Sequence, residues 1–264
     1  MDPPVLAALI TASLSLVVAV SKIVVDWRDK NLERSVAARE QLDRYRSPLL
    51  AAVDDLGRRI NNIRNDGFLT YLHNEDRRDT ALLSTLFRFA QYIGWLEIVY
   101  GYGGHLCFQS DEATKAVAKT LADFGWILAA DEFDRIDEGD FQSSRLMLWR
   151  EEQRAIGELM RHEGDEPRCV GFDTFAERYD RSFARWFSHF AAQLEDASVP
   201  KANRLAELHR VAVRLIKELD VDHVLVHVDG SGRITSPSWA QRSRLPAPTR
   251  HTDPRNLGPD YVAP

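Results

Sequence analysis

Two segments of the chain carry residue types that often bind metal ions. His162 and Glu163 begin like the zinc motif HExxH, in which two histidines one helical turn apart face the same metal. Glu166 stands where the second histidine would be needed, and Gly164 and Pro167 interrupt a helix at this point. The sequence therefore predicts a polar loop here and no zinc site.

The second segment is a run of acidic residues between two predicted helices. An EF-hand calcium loop needs oxygen-bearing side chains at alternate positions along the loop. Phe133 and Ile136 occupy the positions two residues after Asp131 and Asp134, so the motif fails on spacing. We predict a solvated acidic loop that contains Asp131, Glu132, Asp134, Asp137, Glu138 and Asp140.

The glycine-rich stretch from Gly101 to Gly104 and the residues around Cys107 offer neither a phosphate loop nor an activated nucleophile. The stretch follows a predicted helix and lacks the Lys-Ser/Thr pair, whereas phosphate loops follow a strand. His105 and Cys107 are two residues apart, so they point to different sides of any regular element. No catalytic residue, metal site or cofactor is predicted, and the sequence favours a non-enzymatic protein.

Two charges interrupt the most hydrophobic segment outside the N-terminus, residues 80–100. Arg88 and Glu97 would be costly at membrane depth, so we interpret the segment as a central buried helix. Buried charges need partners, and these two could form a polar network with Arg150, Glu151, Glu152 and Arg154. The functional alternative is a ligand pocket that is lined by Arg88, Tyr92, Trp95, Glu97 and Trp149.

Aromatic residues recur at spacings of three and four between residues 172 and 190, which places them on one face of a helix. Arg178, Arg181 and Arg185 interleave on the other face. This pattern is typical of core packing, whereas an exposed aromatic face would be a partner-binding surface. The aromatic residues are Phe172, Phe175, Tyr179, Phe183, Trp186, Phe187 and Phe190.

The composition excludes some classes of protein. The net charge of -6 argues against nucleic acid as a partner, because phosphate binding depends on a surplus of basic residues. Cys107 and Cys169 lie far apart in the sequence, so neither a disulfide framework nor a zinc site with four cysteine ligands is predicted. With 264 residues, the chain can form one good-sized core or two small domains.

A long uncharged segment begins the chain. No charged residue occurs from Pro3 to Ser21, and after Lys22 the apolar residues 23–25 follow. At about 1.5 Å per residue, the segment from roughly Pro4 to Val25 matches a hydrocarbon core of about 30 Å. We predict a single transmembrane helix within residues 1–25 as a membrane anchor.

The charges that flank this segment predict its orientation. Asp2 precedes it without any Lys or Arg, whereas five basic residues follow within about 20 positions: Arg28, Lys30, Arg34, Arg39 and Arg44. The N-terminus is therefore expected outside and the C-terminal domain in the cytoplasm, at the cell membrane. The alternatives are a signal peptide cleaved after Ala19-Val20-Ser21, which would lack the usual basic n-region, and a buried helix of a soluble core.

Small residues recur at every fourth position of the predicted span. Ala7, Thr11, Ser15 and Ala19 would form one helical stripe that lets a second helix approach closely. Such residues are also common in membrane helices that do not pair. The stripe predicts a homo-oligomer that forms through the span.

The rest of the chain is predicted to be mainly all-α, with residues 26–46 as a charged helical stalk and residues 47–220 as a bundle of six or seven helices. Ser47 and Pro48 have the types expected at the start of a new helix, with Leu49, Val53, Leu56, Ile60 and Ile63 on one face. Asn65 to Gly67 should end that helix. The glycines at 101–104 should end the next one.

Further helices are predicted from Ser110 to about Phe124, from Phe141 to Met160, from Asp173 to Leu194, and from Pro200 to about Leu219. Residues 221–236 read as a small β-hairpin around the turn Asp229 to Gly232. Residues 237–264 read as a flexible proline-rich tail.

These predictions support three functional hypotheses. The first is a membrane-tethered helical scaffold without catalytic activity, which presents a cytoplasmic bundle to a protein partner or to a second copy. The second is a membrane-associated enzyme or small-molecule sensor with a pocket near Arg88 and Glu97. The third is a membrane-acting effector of bacterial stress or defence, in which assembly of the bundle drives the anchor helices together. The lipid bilayer is a partner in all three.

Overall fold

The computed structural model describes residues 3–107, 112–133, 145–162, 164, 167–220 and 225–235, with only the main chain for residues 3–20 and a few other helical positions. This part of the chain is mainly helical and ends in one small hairpin, as predicted. Its α-helices are α1 (Pro3–Asn65), α2 (Arg78–Cys107), α3 (Glu112–Ala129), α4 (Arg150–Met160), α5 (Phe172–Arg178), α6 (Ala184–Gln193) and α7 (Asn203–Leu219), and its strands are β1 (His227–Val228) and β2 (Ile234–Thr235).

Helix α1 is exposed from Ser21 to Lys30, where its side chains are first described, and ends inside the bundle. The described side chains from Ser21 to Lys30 are exposed, whereas burial begins at Tyr45. Leu49, Val53, Leu56 and Ile60 are fully buried, which confirms the apolar face predicted from their spacing. The helix ends at Asn65, and Gly67 follows with a positive φ of 67°, as the predicted stop requires.

The predicted start of a new helix at Ser47 is wrong, because α1 continues through Pro48 without interruption. A proline inside a helix removes one main-chain hydrogen bond and costs roughly 3 kcal/mol. Burial of a Leu or Val side chain contributes about 1.5–3 kcal/mol, and Leu49, Leu50 and Val53 are all buried directly after the proline. Tertiary packing therefore outweighs the local preference for a break.

The predicted end of the second helix at the glycines is also wrong. Helix α2 continues through Gly101 and ends at Cys107. Glycine lowers helix propensity by about 1 kcal/mol relative to Ala, but it keeps its N–H group and breaks no hydrogen bond. Helix α3 likewise extends past Phe124 to Ala129, whereas its predicted cap at Ser110 lies outside the described residues.

Helix α4 is shorter than predicted. It begins at Arg150 and not at Phe141, because Trp149 is extended with ψ 159° and its main-chain N–H donates to the Glu152 carboxylate at 2.7 Å. That contact caps the first turn of α4. Residues 141–144 lie outside the described part of the chain.

The predicted helix from Asp173 to Leu194 is helical throughout, but it is not a regular α-helix. A π-helical turn, Tyr179–Phe183, separates α5 from α6. Phe175, Phe183, Phe187 and Phe190 are fully buried. The core interpretation is therefore confirmed for these four residues, whereas Tyr179 and Trp186 are half-buried and Phe172 is 39% exposed.

Pro200 does not begin the last long helix as predicted. It lies in a short 3-10 turn, Val199–Lys201, and α7 begins at Asn203. Helix α7 packs against α1 on one side and α3 on the other, while α2 packs against α1 and α4. A single apolar core connects these helices.

The C-terminal hairpin is confirmed, with antiparallel pairs His227–Thr235 and Val228–Ile234. It lies on helix α1. A Cβ atom on Gly57 would come within 2.4 Å of the Ile234 Cδ1 atom, so the glycine makes room for this buried side chain. Arg58 donates a hydrogen bond to the Thr235 carbonyl oxygen at 3.0 Å and holds the second strand in place.

Among the residues whose side chains the structure describes, no helix is both long and apolar enough to cross a membrane. The predicted span falls mostly on residues 3–20, whose side chains lie outside the described set. The predicted proline-rich tail, residues 237–264, also lies outside it.

Candidate functional site

Three helices surround an open groove of about 980 Å³, to which α2, α3 and α4 each contribute one face. We refer to it as the α2–α4 groove. The contribution of α2 is an apolar floor, Ile93 and Leu96, followed by the half-buried Glu97 and by Tyr100. These four residues are spaced by three, one and three positions, so a single helical face carries them all.

Helix α3 contributes a basic edge. Lys115 and Lys119 are four residues apart and therefore lie one turn above the other on the same face. Ala118 lies between the two lysines in the sequence, and Ala122 follows Lys119 by three positions. The small side chains of both alanines leave the groove open. Both lysines are exposed.

Helix α4 contributes a second basic edge across the groove. Arg150 and Arg154 are also four residues apart, and Glu158 follows one turn later. Glu151 lines the groove beside Arg150. The groove is therefore bordered by two pairs of cations on different helices, together with three carboxylates, one of which is Glu97.

The charges of the groove are largely uncompensated by direct contacts. Lys115 approaches the exposed Glu112 at 3.6 Å, a surface ion pair outside the groove lining. Within the described part of the chain, Lys119, Arg150 and Arg154 form no ion pair of 4.0 Å or less with any carboxylate. Their charges therefore face the groove and the solvent.

A glycine positions the side chain of Arg150. A Cβ atom on Gly125 of α3 would lie 2.5 Å from the Arg150 Nη1 atom, so the guanidinium occupies the space that a side chain would fill. The amide of Gln153 donates hydrogen bonds to the carbonyl oxygens of Gly125 at 3.0 Å and Leu148 at 2.8 Å. These contacts fix the start of α4 against α3.

Arg150 also acts electrostatically on the phenol at the other side of the groove. Burial raises the pKa of Tyr100, and the positive charge of Arg150 opposes that shift. The phenol therefore remains protonated at neutral pH and can donate a hydrogen bond.

The predicted pocket residues do not come together in the structure. Glu97 lines the groove, whereas Arg88 forms an ion pair with Asp55 of α1. Tyr92 is fully buried with its ring centroid 4.3 Å from that of Phe124, and its burial raises the pKa of the phenol. Trp95 is buried beside Tyr45, at a centroid distance of 6.5 Å, and Trp149 is 52% exposed. The predicted pairing of Arg88 with the charges of α4 is wrong.

The residues that the prediction missed are Lys115, Lys119 and the groove-facing role of Arg150 and Arg154. Their only sequence signal is the repeated spacing of four between like charges, which is unfavourable within an isolated helix. That spacing does not reveal which helices face each other. The arrangement depends on how α2, α3 and α4 pack against one another.

The other sequence features lie only partly within the described residues. Among the residues that the structure describes, no group of three or more His, Cys, Asp or Glu side chains is arranged to hold a metal ion. The Nε2 atom of His162 lies 3.0 Å from the Nη2 atom of Arg168. Glu163, most of the acidic run after Phe133, and the side chains of Ala7, Thr11, Ser15 and Ala19 lie outside the described residues.

Comparison of the chain with models of known protein families, with curated proteins and with solved structures finds no significant match.

Proposed function

We propose that this protein is a membrane-tethered helical module, in which roughly Pro4 to Val25 cross the cell membrane and hold the bundle on the cytoplasmic side. The observation that carries the proposal is the continuity of α1 from Pro3 to Asn65. The same helix contains the apolar N-terminal segment and the buried face that begins at Tyr45. A change at either end of such a helix can be transmitted to the other.

The exposed apolar residues of α1 near Trp27 support a partner outside the described bundle. Ile23, Val25 and Trp27 are 66%, 55% and 65% exposed, although apolar side chains gain free energy from burial. A bilayer would cover Ile23 and Val25, and Trp27 would lie at the interface, where this residue type is enriched. Lys22 can extend along the helix to reach the lipid headgroups.

The length of the helix sets the distance between membrane and bundle. Residues 26–44 are rich in charge and separate the end of the predicted span from Tyr45. At about 1.5 Å per residue, this stalk would hold the bundle roughly 30 Å from the hydrocarbon core. The bundle is then presented to a cytoplasmic partner or to a second copy, without any role for catalysis.

Extraction of cell membranes with alkaline carbonate tests the tether. The full chain should remain in the membrane pellet. The double variant Leu9→Asp/Leu14→Asp places two charges in the predicted span, each costing about 2.5–3.5 kcal/mol at the bilayer centre, and should move to the soluble fraction.

A matched variant serves as the control. Leu32→Asp/Val36→Asp makes the same change on the stalk, where both side chains are already exposed, at 64% and 48%. It should remain in the pellet like the unmodified protein. Release of the unmodified chain by carbonate would contradict the tether.

A further inference from the structure

Four cations line the α2–α4 groove against the three carboxylates of Glu97, Glu151 and Glu158, so the lining carries a net positive charge. Lys115 and Lys119 repel each other along α3, and Arg150 and Arg154 repel each other along α4, since like charges four residues apart destabilise a helix. No ion pair within the described residues compensates Lys119, Arg150 or Arg154. An anion bound between the two helices would relieve both repulsions at once.

The types of cation indicate which anion is preferred. The planar guanidinium groups of Arg150 and Arg154 can donate paired hydrogen bonds to two oxygens of a phosphate, and lysine adds a compact positive charge. Two arginines on one edge and two lysines on the opposite edge can surround an anion that carries several oxygens. A group with one or more phosphates matches this arrangement better than a single carboxylate does.

The other residues of the groove indicate which chemical groups the rest of the ligand carries. A volume of about 980 Å³ is far larger than a phosphate ion and lies within the range of small-molecule sites. Ile93 and Leu96 are buried beneath the groove, so the apolar surface that a flat ring can reach comes from the half-buried Tyr100 and Ala118. The half-buried carboxylate of Glu97 can accept a hydrogen bond from an N–H or O–H group of that ring or of a sugar.

We infer that the α2–α4 groove binds a soluble nucleotide-like phosphate ester, with its phosphates between Lys119, Arg150 and Arg154 and its ring against Tyr100 and Ala118. The inference does not depend on the membrane tether, because the groove consists only of residues from α2, α3 and α4. Nucleotides meet all three requirements of the lining: a multiply charged phosphate, a flat ring and hydrogen-bond donors.

Isothermal titration of the full, detergent-solubilised chain with ATP, GTP and inorganic pyrophosphate tests the inference. Saturable binding of at least one nucleotide is expected, with weaker binding of pyrophosphate, which lacks the ring. The double variant Lys119→Glu/Arg154→Glu should weaken nucleotide binding at least about tenfold, since each lost charge-assisted hydrogen bond has an effect of this order. The control Lys201→Glu/Lys217→Glu reverses two exposed charges away from the groove and should bind as the unmodified protein does.

A second variant tests the same site without changing the net charge. Gly125→Ala would place a methyl group 2.5 Å from Arg150 Nη1, and the end of this flexible side chain would have to move. We expect several-fold weaker nucleotide binding with unchanged thermal stability or a small increase. The helical fold of each variant is checked by circular dichroism.

Three results would overturn the inference. The first is the absence of saturable binding for ATP, GTP and pyrophosphate alike. The second is binding that the groove variants and the control variant weaken equally. The third is that vesicles containing phosphatidylserine, but no soluble nucleotide, bind in a manner that depends on Arg154, since the phosphate would then belong to a lipid headgroup.

Discussion

A Cβ atom on Gly157 would lie 2.8 Å from the Cβ atom of Glu97, so the glycine lets α4 lie directly on α2. One turn further along, a Cβ atom on Gly94 would lie 2.7 Å from the Met160 Cβ atom. The two contacts pair residue 94 with 160 and residue 97 with 157, so the helices run antiparallel. Each helix contributes one glycine to the crossing. Glu97, which lies at this crossing, also lines the groove.

Gly157→Ala should therefore destabilise the protein. The new methyl group would meet the Glu97 Cβ atom, which lies close to the main chain and cannot rotate away. Overpacking of this kind costs about 1–3 kcal/mol, and the better helix propensity of Ala returns only about 1 kcal/mol. Urea unfolding of the detergent-solubilised chain, followed by circular dichroism, should show a lower midpoint.

Gly101→Ala is the matched control for this variant. Gly101 also lies inside α2, but a Cβ atom at this position would have no neighbouring atom within 4 Å. This variant should gain up to about 1 kcal/mol from helix propensity alone. If both glycine variants shifted the urea midpoint in the same direction, close packing would not be the reason for glycine at 157.

Arg204 caps the end of α3 from a fully buried position. Its guanidinium donates hydrogen bonds to the carbonyl oxygens of Ala130 at 2.6 Å and Leu128 at 3.1 Å, and its Nε atom donates to the Arg145 carbonyl at 2.7 Å. Ile127 accepts a further hydrogen bond from the same side chain. Arg204 of α7 thus donates to carbonyl groups at and just after the end of α3, which lack helical partners, and the Leu148 N–H also donates to the Leu128 carbonyl at 2.9 Å.

Arg204→Ala should lower the free energy of unfolding by at least about 3 kcal/mol, because several buried carbonyl groups would lose a charged donor. Arg204→Lys should recover only part of the loss, since lysine lacks the planar fork. Arg210→Ala, also on α7, removes an arginine that is 63% exposed in its pair with Glu207 and should change stability by less than about 1 kcal/mol. Equal unfolding midpoints for the Arg204 and Arg210 alanine variants would contradict this role.

Local patterns in the sequence predict the parts of this fold that depend on neighbours along the chain. The spacing of Leu49, Val53 and Leu56 predicts a buried face, and the turn at Asp229 predicts the hairpin. The partner of Arg88 could not be predicted in this way. Asp55 lies 33 residues away on another helix, and nothing in its own surroundings distinguishes it from Asp54.

The groove and the burial of Arg204 could not be predicted from the sequence, for a related reason. Arg204 resembles any surface arginine on an amphipathic helix, and only the position of the α3 end against α7 explains its burial. Arg154 belongs to α4, which packs on α2 through Gly94 and Gly157, and Lys119 belongs to α3, where Gly125 lies against Arg150 of α4. Such contacts join residues far apart in sequence, so periodicity along one helix carries no information about them.

The thiol of Cys169 should be unreactive in the folded protein. Burial raises the pKa of this thiol from 9.0 to about 12, so the folded state disfavours the thiolate that reacts. Because the folded state keeps this thiol protonated, the thiol contributes to the free energy of unfolding. This contribution is fully present below pH 9 and is lost as the pH rises through about 12. At pH 9 the folded protein holds roughly 500-fold less thiolate than the unfolded chain.

Alkylation with iodoacetamide measures this difference. In a Cys107→Ser background, Cys169 should react far more slowly in the native protein than in urea, as followed by mass spectrometry at pH 9. The native rate should continue to rise as the pH is increased above 9, because the thiolate fraction is still small. Equal rates with and without urea would show that the thiol is accessible and ordinary.

The small-residue stripe of the proposed span predicts a contact between two copies of the chain. Ala7, Thr11, Ser15 and Ala19 recur every four residues, and α1 has a continuous helical main chain across all of them. Thr11→Ile/Ser15→Ile would place two branched side chains in this contact and should reduce self-association, measured with a bacterial two-hybrid assay of the span.

The control for this experiment keeps the same substituents and moves them to the other side of the helix. Ser13 and Val17 follow Thr11 and Ser15 by two positions each, about 200° around the axis at 100° per residue. Ser13→Ile/Val17→Ile should therefore leave the two-hybrid signal intact, although it also enlarges both side chains. A signal that survives Thr11→Ile/Ser15→Ile would place the contact on another face, and any self-association would then have to come from the stalk or the bundle.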